Sequence, residues 1–359
     1  MTSVNVERII DGDGHITEDD EMANYLPSPY KEMGPFQGRV FPALDHMHTP
    51  FRETPATHSG RGRVGPEQWI DFLNDVGIDT TVLYPTGGLA YGKIPYADVA
   101  IAVTRAYNDW LSETYMKASP RFKGMALIPM QDPEAAVVEL RRAVEELGMV
   151  GAMLPSNGLR LHLGSKEFWP VYQEAERLGC ALAIHGGAHD GMGLDDLNHF
   201  AAIHALGHPF GVMISFTGII ANAILDKFPG LRIGFLEAGA AWLLFCLERL
   251  DSSYGAFFQK NPRGELLNLT QGERVSDHIK RHIEAGRIFV GIEGDEPELV
   301  RGVQVVGIKP WIYSSDFPHE VTNETCKEEI QELRESDELV AAQKEAILSQ
   351  NAERFYRLQ

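Results

Sequence analysis

The residues of this chain best suited to chemistry are histidines and carboxylates standing where short apolar runs stop. Asp13 and His15 lie two apart in Asp11-Gly12-Asp13-Gly14-His15. In an extended segment, residues i and i+2 project from the same side, so this carboxylate and this imidazole reach one point. The pair suits zinc or manganese and leaves room for water or a substrate oxygen. The same DGDG composition is also that of a turn. His185 ends the run that begins Ala181-Leu182-Ala183-Ile184, a place where a hydrogen-bonded core histidine is ordinary. Asp316 follows the run at 311–314 and has the chemistry of a helix N-cap. Each residue has a bland explanation alone; four of them at one rim of one fold make the stronger pattern.

The elements that must position them are eight short, apolar, β-branched runs: 6–10, 79–84, 123–128, 150–154, 181–184, 231–236, 287–292 and 311–314. Stretches of helical period separate them, at 66–76, 97–118, 133–147, 165–178, 212–228, 240–254 and 297–306. Strand followed by helix, repeated, implies a parallel sheet with right-handed crossovers. Eight such units close into a (β/α)8 TIM barrel, and no GxGxxG opens the first helix to favour a dinucleotide fold. Pro66 and Pro133 mark helix starts. The whole chain, 1–359, reads as one domain with a long Pro-, Gly- and His-rich arm at 19–65 and a second long loop at 186–211. Residues 320–358 read as one or two charged helices closing the barrel.

In a barrel the chemistry gathers where strands end. Besides His185 and Asp316, strand ends supply Glu237 after the sixth run and Glu293 after the seventh, with His319 just past Asp316. Glu293 has the composition of a turn or salt-bridge residue as well as of a pocket residue. His319 lines the pocket, holds Asp316 or begins a helix. His46 and His48, in LDHMHTP, form a second HxH in the arm; they are read as reaching over the site, His48 toward substrate, rather than as metal ligands. Trp242 and Phe245 are read as helix packing.

Composition narrows the partners. Lys and Arg total 32 against 51 Asp and Glu, a net charge of −19. Such a surface repels a phosphate backbone, which argues against nucleic acid. An anionic substrate would need local positive charge from a metal or a few Arg and His side chains. Cys180, Cys246 and Cys326 are widely spaced without a CxxC pair, against a disulfide framework or thiolate cluster and in favour of a reducing compartment. The N-terminus has no basic segment followed by an apolar run, and no apolar stretch is read as reaching the roughly 18 residues of a membrane span. The expectation is a cytoplasmic protein with a small-molecule substrate and no membrane partner.

Asp13-x-His15, AIHGG around His185, FLEAGAAW around Glu237 and SSDFPH around Asp316 together resemble the amidohydrolase superfamily. Within it they are most similar to the amidohydrolase 2 branch of aminocarboxymuconate-semialdehyde decarboxylase, over nearly the whole chain. The resemblance implies one divalent metal, zinc first and manganese second, on Asp13, His15, His185 and Asp316. It also implies catalysis by Asp316 and His185, and a homodimer or higher oligomer; Glu237, at the end of the sixth run, is read as a third catalytic residue acting on the metal-bound water. Leu154-Pro155 stands at strand four where a two-metal site would need a carboxylated lysine. The branch's decarboxylases carry a histidine where this chain has Glu237. A carboxylate beside a metal-bound water is a plausible base and a poor neighbour for an anionic substrate, so hydrolysis of a carbonyl-bearing small molecule ranks first. Non-oxidative decarboxylation of a hydroxyaryl acid is the alternative, and a non-catalytic metal-binding scaffold the third.

Overall fold

The structure, a computed structural model, describes residues 8–18, 20–34, 39–44, 64–257, 260–319 and 321–358. Strand β1 runs Ile10–Ile16, straight through the segment whose composition suggests a turn. The expected strand at 6–10 is therefore placed too early, and residues 1–7 lie outside the described set. The glycines are there for space rather than for turning. A Cβ on Gly12 would collide with Ile312, and one on Gly14 would sit 2.5 Å from Trp69 Cη2 and 2.6 Å from Thr81 Oγ1. Asp11 is satisfied inside the fold, accepting from Thr81 Oγ1 at 2.6 Å and from Ser315 N at 2.8 Å.

The remaining strands fall within a residue or so of the expected runs: β2 Thr80–Pro85, β3 Phe122–Leu127, β4 Gly151–Pro155, β5 Ala181–His185, β6 Arg232–Leu236, β7 Ile288–Ile292 and β8 Trp311–Tyr313. They pair in parallel in chain order, β1 through β8. The seam between β8 and β1 is bridged by the segment after β8: Asp316 N donates to Asp13 O at 3.0 Å and His15 N to Phe317 O at 2.7 Å. This bridging lays Asp316 beside Asp13 and His15. The result is a nearly closed (β/α)8 barrel with its helices outside.

The helices are α1 Tyr30–Met33, α2 Pro66–Val76, α3 Ala97–Leu111, α4 Pro133–Glu145, α5 Trp169–Leu178, α6 Phe200–Ala221, α7 Ile224–Lys227, α8 Ala241–Ala256, α9 Val275–Glu284, α10 Leu299–Val306, α11 Asn323–Glu335, α12 Ala341–Glu345 and α13 Asn351–Tyr356. Two depart from expectation. α6 starts at Phe200 rather than at 212, which shortens the second long loop. His199 caps it by accepting from Ala202 N, and Pro209, a breaker by composition, lies within it. α9 was not expected at all. α6 is also long and apolar enough, by length and composition, to cross a membrane, against the expectation of no such stretch. Half of that apolar window is buried inside the protein, where Phe216 packs edge-on against Phe235 and Trp242 with ring centroids 5.1 Å apart. Trp242 thus takes the packing role expected of it, whereas Phe245 is exposed.

α13 covers the end where the strands begin. Arg232 Nε donates to Phe355 O at 2.9 Å, and Tyr356 Oη reaches into the barrel to donate to Gly12 O at 2.6 Å. The opposite end, where the strands finish, is the mouth. His46 and His48 lie outside the described residues, as does most of the arm's second half.

Candidate metal centre at the barrel mouth

β1 and β5 carry His15 and His185 to the mouth with their rings oriented by backbone. A carbonyl oxygen can only accept, so His15 donates Nδ1–H to Pro85 O and His185 donates Nδ1–H to Gly186 O, each at 2.7 Å. Both Nε2 lone pairs then face inward. His15 Nε2 lies 3.5 Å from Asp13 Oδ1 and 3.4 Å from Asp316 Oδ1, and His185 Nε2 lies 3.2 Å from Asp13 Oδ2. Asp13 Oδ1, His15 Nε2 and His185 Nε2 are buried and have no hydrogen-bond partner.

Buried carboxylate and imidazole atoms converging on one another are what a cation site requires. Metal bonds of about 2.0–2.2 Å at tetrahedral angles hold ligand atoms roughly 3.3–3.5 Å apart, close to these separations. Asp13, His15 and His185 fit one divalent ion, and Asp316 stands beside His15 at the edge of the same group. Their electrostatics fit it too. Burial pushes the Asp13 carboxyl up to about 6, against the pull of His185. Burial also drives His15 well below its ordinary value, helped by His319 and His185. His185 is opposed by burial yet raised to about 9 by Asp13. One dication would favour the charged Asp13 carboxylate and the neutral imidazoles together.

Around this centre stand two dyads. His319 Nδ1 is 2.7 Å from Asp316 Oδ1, its Nε2 is 2.9 Å from Thr86 Oγ1, and its ring stacks on His15 with centroids 4.1 Å apart. His319 thus touches Asp316, Thr86 and His15 at once. Glu237 meets His208 Nδ1 at 2.6 Å and His185 Nδ1 at 3.4 Å. Burial would raise the Glu237 carboxyl, but His208 and then His185 outweigh it and hold it well below the usual range. Glu237 and Asp316 both adopt left-handed backbone, φ 55 and 54, strain that concentrates where side chains are being aimed. Glu293 stands at the rim of the mouth, part of the residue exposed and its carboxyl within the field of the site's carboxylates. Its N–H donates to Glu296 Oε1 at 2.9 Å, and its carboxyl is raised to about 7 by desolvation and then by Asp316.

Sequence reasoning missed His208, Thr86 and Glu18. His208 carried a signal, the i, i+4 spacing of His204 and His208, hidden because that stretch was read as loop. Glu18 accepts from Gly87 N and Gly88 N, each at 2.8 Å, and so fixes the loop after β2. A cavity of about 710 Å³ lies at the other end of the barrel, among Arg232, Arg287, Arg354 and Arg357, and shares no residue with this centre.

The sequence profile described as Amidohydrolase matches residues 10–358. The chain belongs to the amidohydrolase family. It is 25% identical to 2-amino-3-carboxymuconate-6-semialdehyde decarboxylase of Dictyostelium discoideum, over 82% of this chain and 77% of that protein. It is 35% identical to a gamma-resorcylate decarboxylase of a Rhizobium species, over 70% of this chain and 76% of the relative. In fold it resembles 5-carboxyvanillate decarboxylase of Novosphingobium aromaticivorans with bound manganese, at TM-score 0.73 and 20% identity, over 98% and 97% of the two chains. All three are decarboxylases by name, and the fold neighbour carries manganese. The expectation that ranked hydrolysis first therefore yields to its alternative, and the geometry supplies a reason: Glu237 is held by two imidazoles as a low-pKa anion, which makes it a weak base.

Proposed function

We propose that this amidohydrolase is a divalent-metal-dependent, non-oxidative decarboxylase of a hydroxyaryl carboxylic acid. The observation that supports the reading is the convergence of Asp13, His15 and His185 on one point, with Asp316 3.4 Å from His15 and buttressed by His319. The decarboxylase relatives supply the reaction class. When bound, the ion supplies positive charge that holds an anionic substrate and stabilises the charge developing as it reacts.

The chain's own residues do the rest. Asp316 delivers its proton to the ring carbon that bears the carboxylate. The bond from that carbon to the carboxylate then breaks, its electron pair restores the aromatic ring, and CO2 leaves. His319, pinned by Thr86, keeps the Asp316 carboxyl aimed and offers a route for its reprotonation. Glu237, paired with His208, stands behind the Nδ1 side of His185 and helps the Gly186 carbonyl hold its ring. Two imidazoles and two carboxylates suit zinc or manganese; manganese, which a fold neighbour carries, is the first to try. A homodimer is part of this reading and is checked by light scattering.

The test is a chelated, manganese-reloaded enzyme given 2,6-dihydroxybenzoate and other hydroxybenzoates. Expected are CO2 and the corresponding phenol in equal amounts, lost on chelation and restored by metal. Turnover of lactones or amides without CO2 would overturn the proposal.

A further inference from the structure

A second histidine and carboxylate cluster lies at the opposite end of the barrel, where β6 and β7 begin. His278 and His282 are four apart on α9 and so share one face. Both side chains are buried. Asp226, on α7, faces them with a side chain 41% exposed, so the cluster is reachable from solvent. His278 Nε2 and His282 Nε2 are 3.0 Å apart. His278 Nε2 is 3.2 Å from Asp226 Oδ2, and His282 Nε2 is 3.5 Å from Asp226 Oδ1.

We propose that Asp226, His278 and His282 form a second cation site, one that takes a single zinc ion or a similar transition-metal dication and ties α7 to α9. Zinc bonds of about 2.0–2.1 Å at tetrahedral angles set ligand atoms about 3.3 Å apart, and the three separations bracket that value. The three protein ligands leave the fourth position, on the exposed Asp226 side, to water.

Hydrogen bonding alone satisfies the cluster poorly. Arg281 Nη2 lies 2.8 Å from His278 Nδ1, which makes that nitrogen an acceptor and puts the proton on Nε2. One N–H then serves a histidine nitrogen and a carboxylate oxygen at once. If it turns to Asp226, the His282 Nε2 lone pair faces Asp226 Oδ1 with nothing between them, unless His282 moves its own proton there and sets two N–H groups against each other at 3.0 Å. A cation removes the conflict. Its binding requires Arg281 to swing off His278 Nδ1. That guanidinium is 54% exposed and already paired with Glu273. Glu273 Oε1 stands 4.0 Å from His278 Nδ1, placed to accept the proton that nitrogen would then carry, an arrangement common behind metal-bound imidazole. Arg287, which donates to Leu225 O at 3.0 Å, adds opposing positive charge nearby and weakens the site relative to the mouth. The role is structural. α7 leads into β6 and α9 into β7, and this end of a barrel serves stability rather than chemistry.

The test is equilibrium dialysis of the full chain against zinc after chelation, comparing wild type with the double variant His278→Gln, His282→Gln and with Asp13→Asn. Wild type should take two ions per chain and the double variant one, with its turnover unchanged. Zinc should still raise the melting temperature of Asp13→Asn but have no such effect when His278 and His282 are also replaced. If the double variant fails to fold, Asp226→Asn, at a partly exposed position, should weaken the second ion by about tenfold or more. A double variant that binds as much zinc as wild type, or a wild type whose single ion disappears in Asp13→Asn, would overturn the site whatever reaction the mouth performs.

Discussion

The two histidine and carboxylate clusters of this barrel bend their carboxyls in opposite directions. At the mouth, burial raises Asp13 to about 6 despite His185 beside it. At the foot, burial works against Asp226 too, but His278 and then His282 outweigh it and hold the group well below the usual carboxylate range. The difference follows from where the ligands are mounted. Mouth ligands sit on strand ends and a strained turn, dry and locked by backbone hydrogen bonds, so they cannot rearrange to satisfy each other. Foot ligands sit on helices with one carboxylate in reach of water. Rigid, unsatisfied donors suit chemistry on a bound ion; adaptable ones suit a clamp.

Replacing Asp316 should break the mouth most severely. Asp316→Asn keeps the size of the side chain and leaves an amide oxygen toward the site, but removes the proton the reaction needs. Turnover is expected to fall by about a thousandfold or more, within the range for losing a general acid, while the ion at the foot is untouched. Steady-state rates alongside metal analysis read both effects. An Asp316→Asn enzyme within tenfold of wild type would remove this residue from the proton-transfer role.

Glu237 offers a milder and sharper test. Because His208 and His185 already hold it as an anion, Glu237→Gln should lose orientation of His185 rather than a base. The expected fall in turnover is about tenfold to a hundredfold, with metal retained. His208→Asn should produce a drop of the same size, and the double variant little more, because the two residues act as one pair. A loss for Glu237→Gln as large as that for Asp316→Asn, with His208→Asn silent, would return Glu237 to the role of base.

Most of the barrel is legible in the sequence because its strands are buried on both faces and read as unbroken apolar runs. Reading fails where local composition and packing disagree. Gly12 and Gly14 look like turn residues, yet they are glycines because Ile312 and Trp69 leave no room for a side chain. Pro209 is a breaker by composition, yet it lies inside α6, which begins at Phe200 and so carries His208 on a helix rather than in the expected loop. Val275–Glu284 follows a polar stretch and joins two strands already separated by α8, so nothing in the pattern asked for another helix. The residues Asp13, His15, His185 and Asp316 were visible through spacing and strand ends. Their partners Thr86, His208 and Glu18 were not, since such contacts depend on which loops the closed barrel brings together.

The smallest effect concerns stability, and it sets the two ends against each other by sign. Glu329, on α11 behind the mouth, is raised to about 8 from its ordinary 4.5 by burial and then by the Glu293 and Asp295 carboxylates. An unfolded chain releases this proton near pH 4.5, whereas the folded chain keeps it until about pH 8. The folded state is therefore progressively disfavoured as pH rises through that window, and the penalty is complete above it. Glu329→Gln removes the titration while keeping the shape. It should match wild type below pH 4.5 and melt higher than it at pH 8, by roughly 5 °C or less. Asp226→Asn at the foot should do the reverse. Its depressed carboxyl contributes stability that is present above the unfolded value and lost as pH falls, so the variant should melt lower than wild type at pH 8 and converge with it in acid. Thermal melts in chelator, so that no ion contributes, decide the matter: Glu329→Gln at pH 4 and pH 8, and Asp226→Asn at pH 8 and well below the unfolded value of 3.8. Shifts of the same sign at pH 8 would mean that the two ends do not differ as their carboxyls indicate.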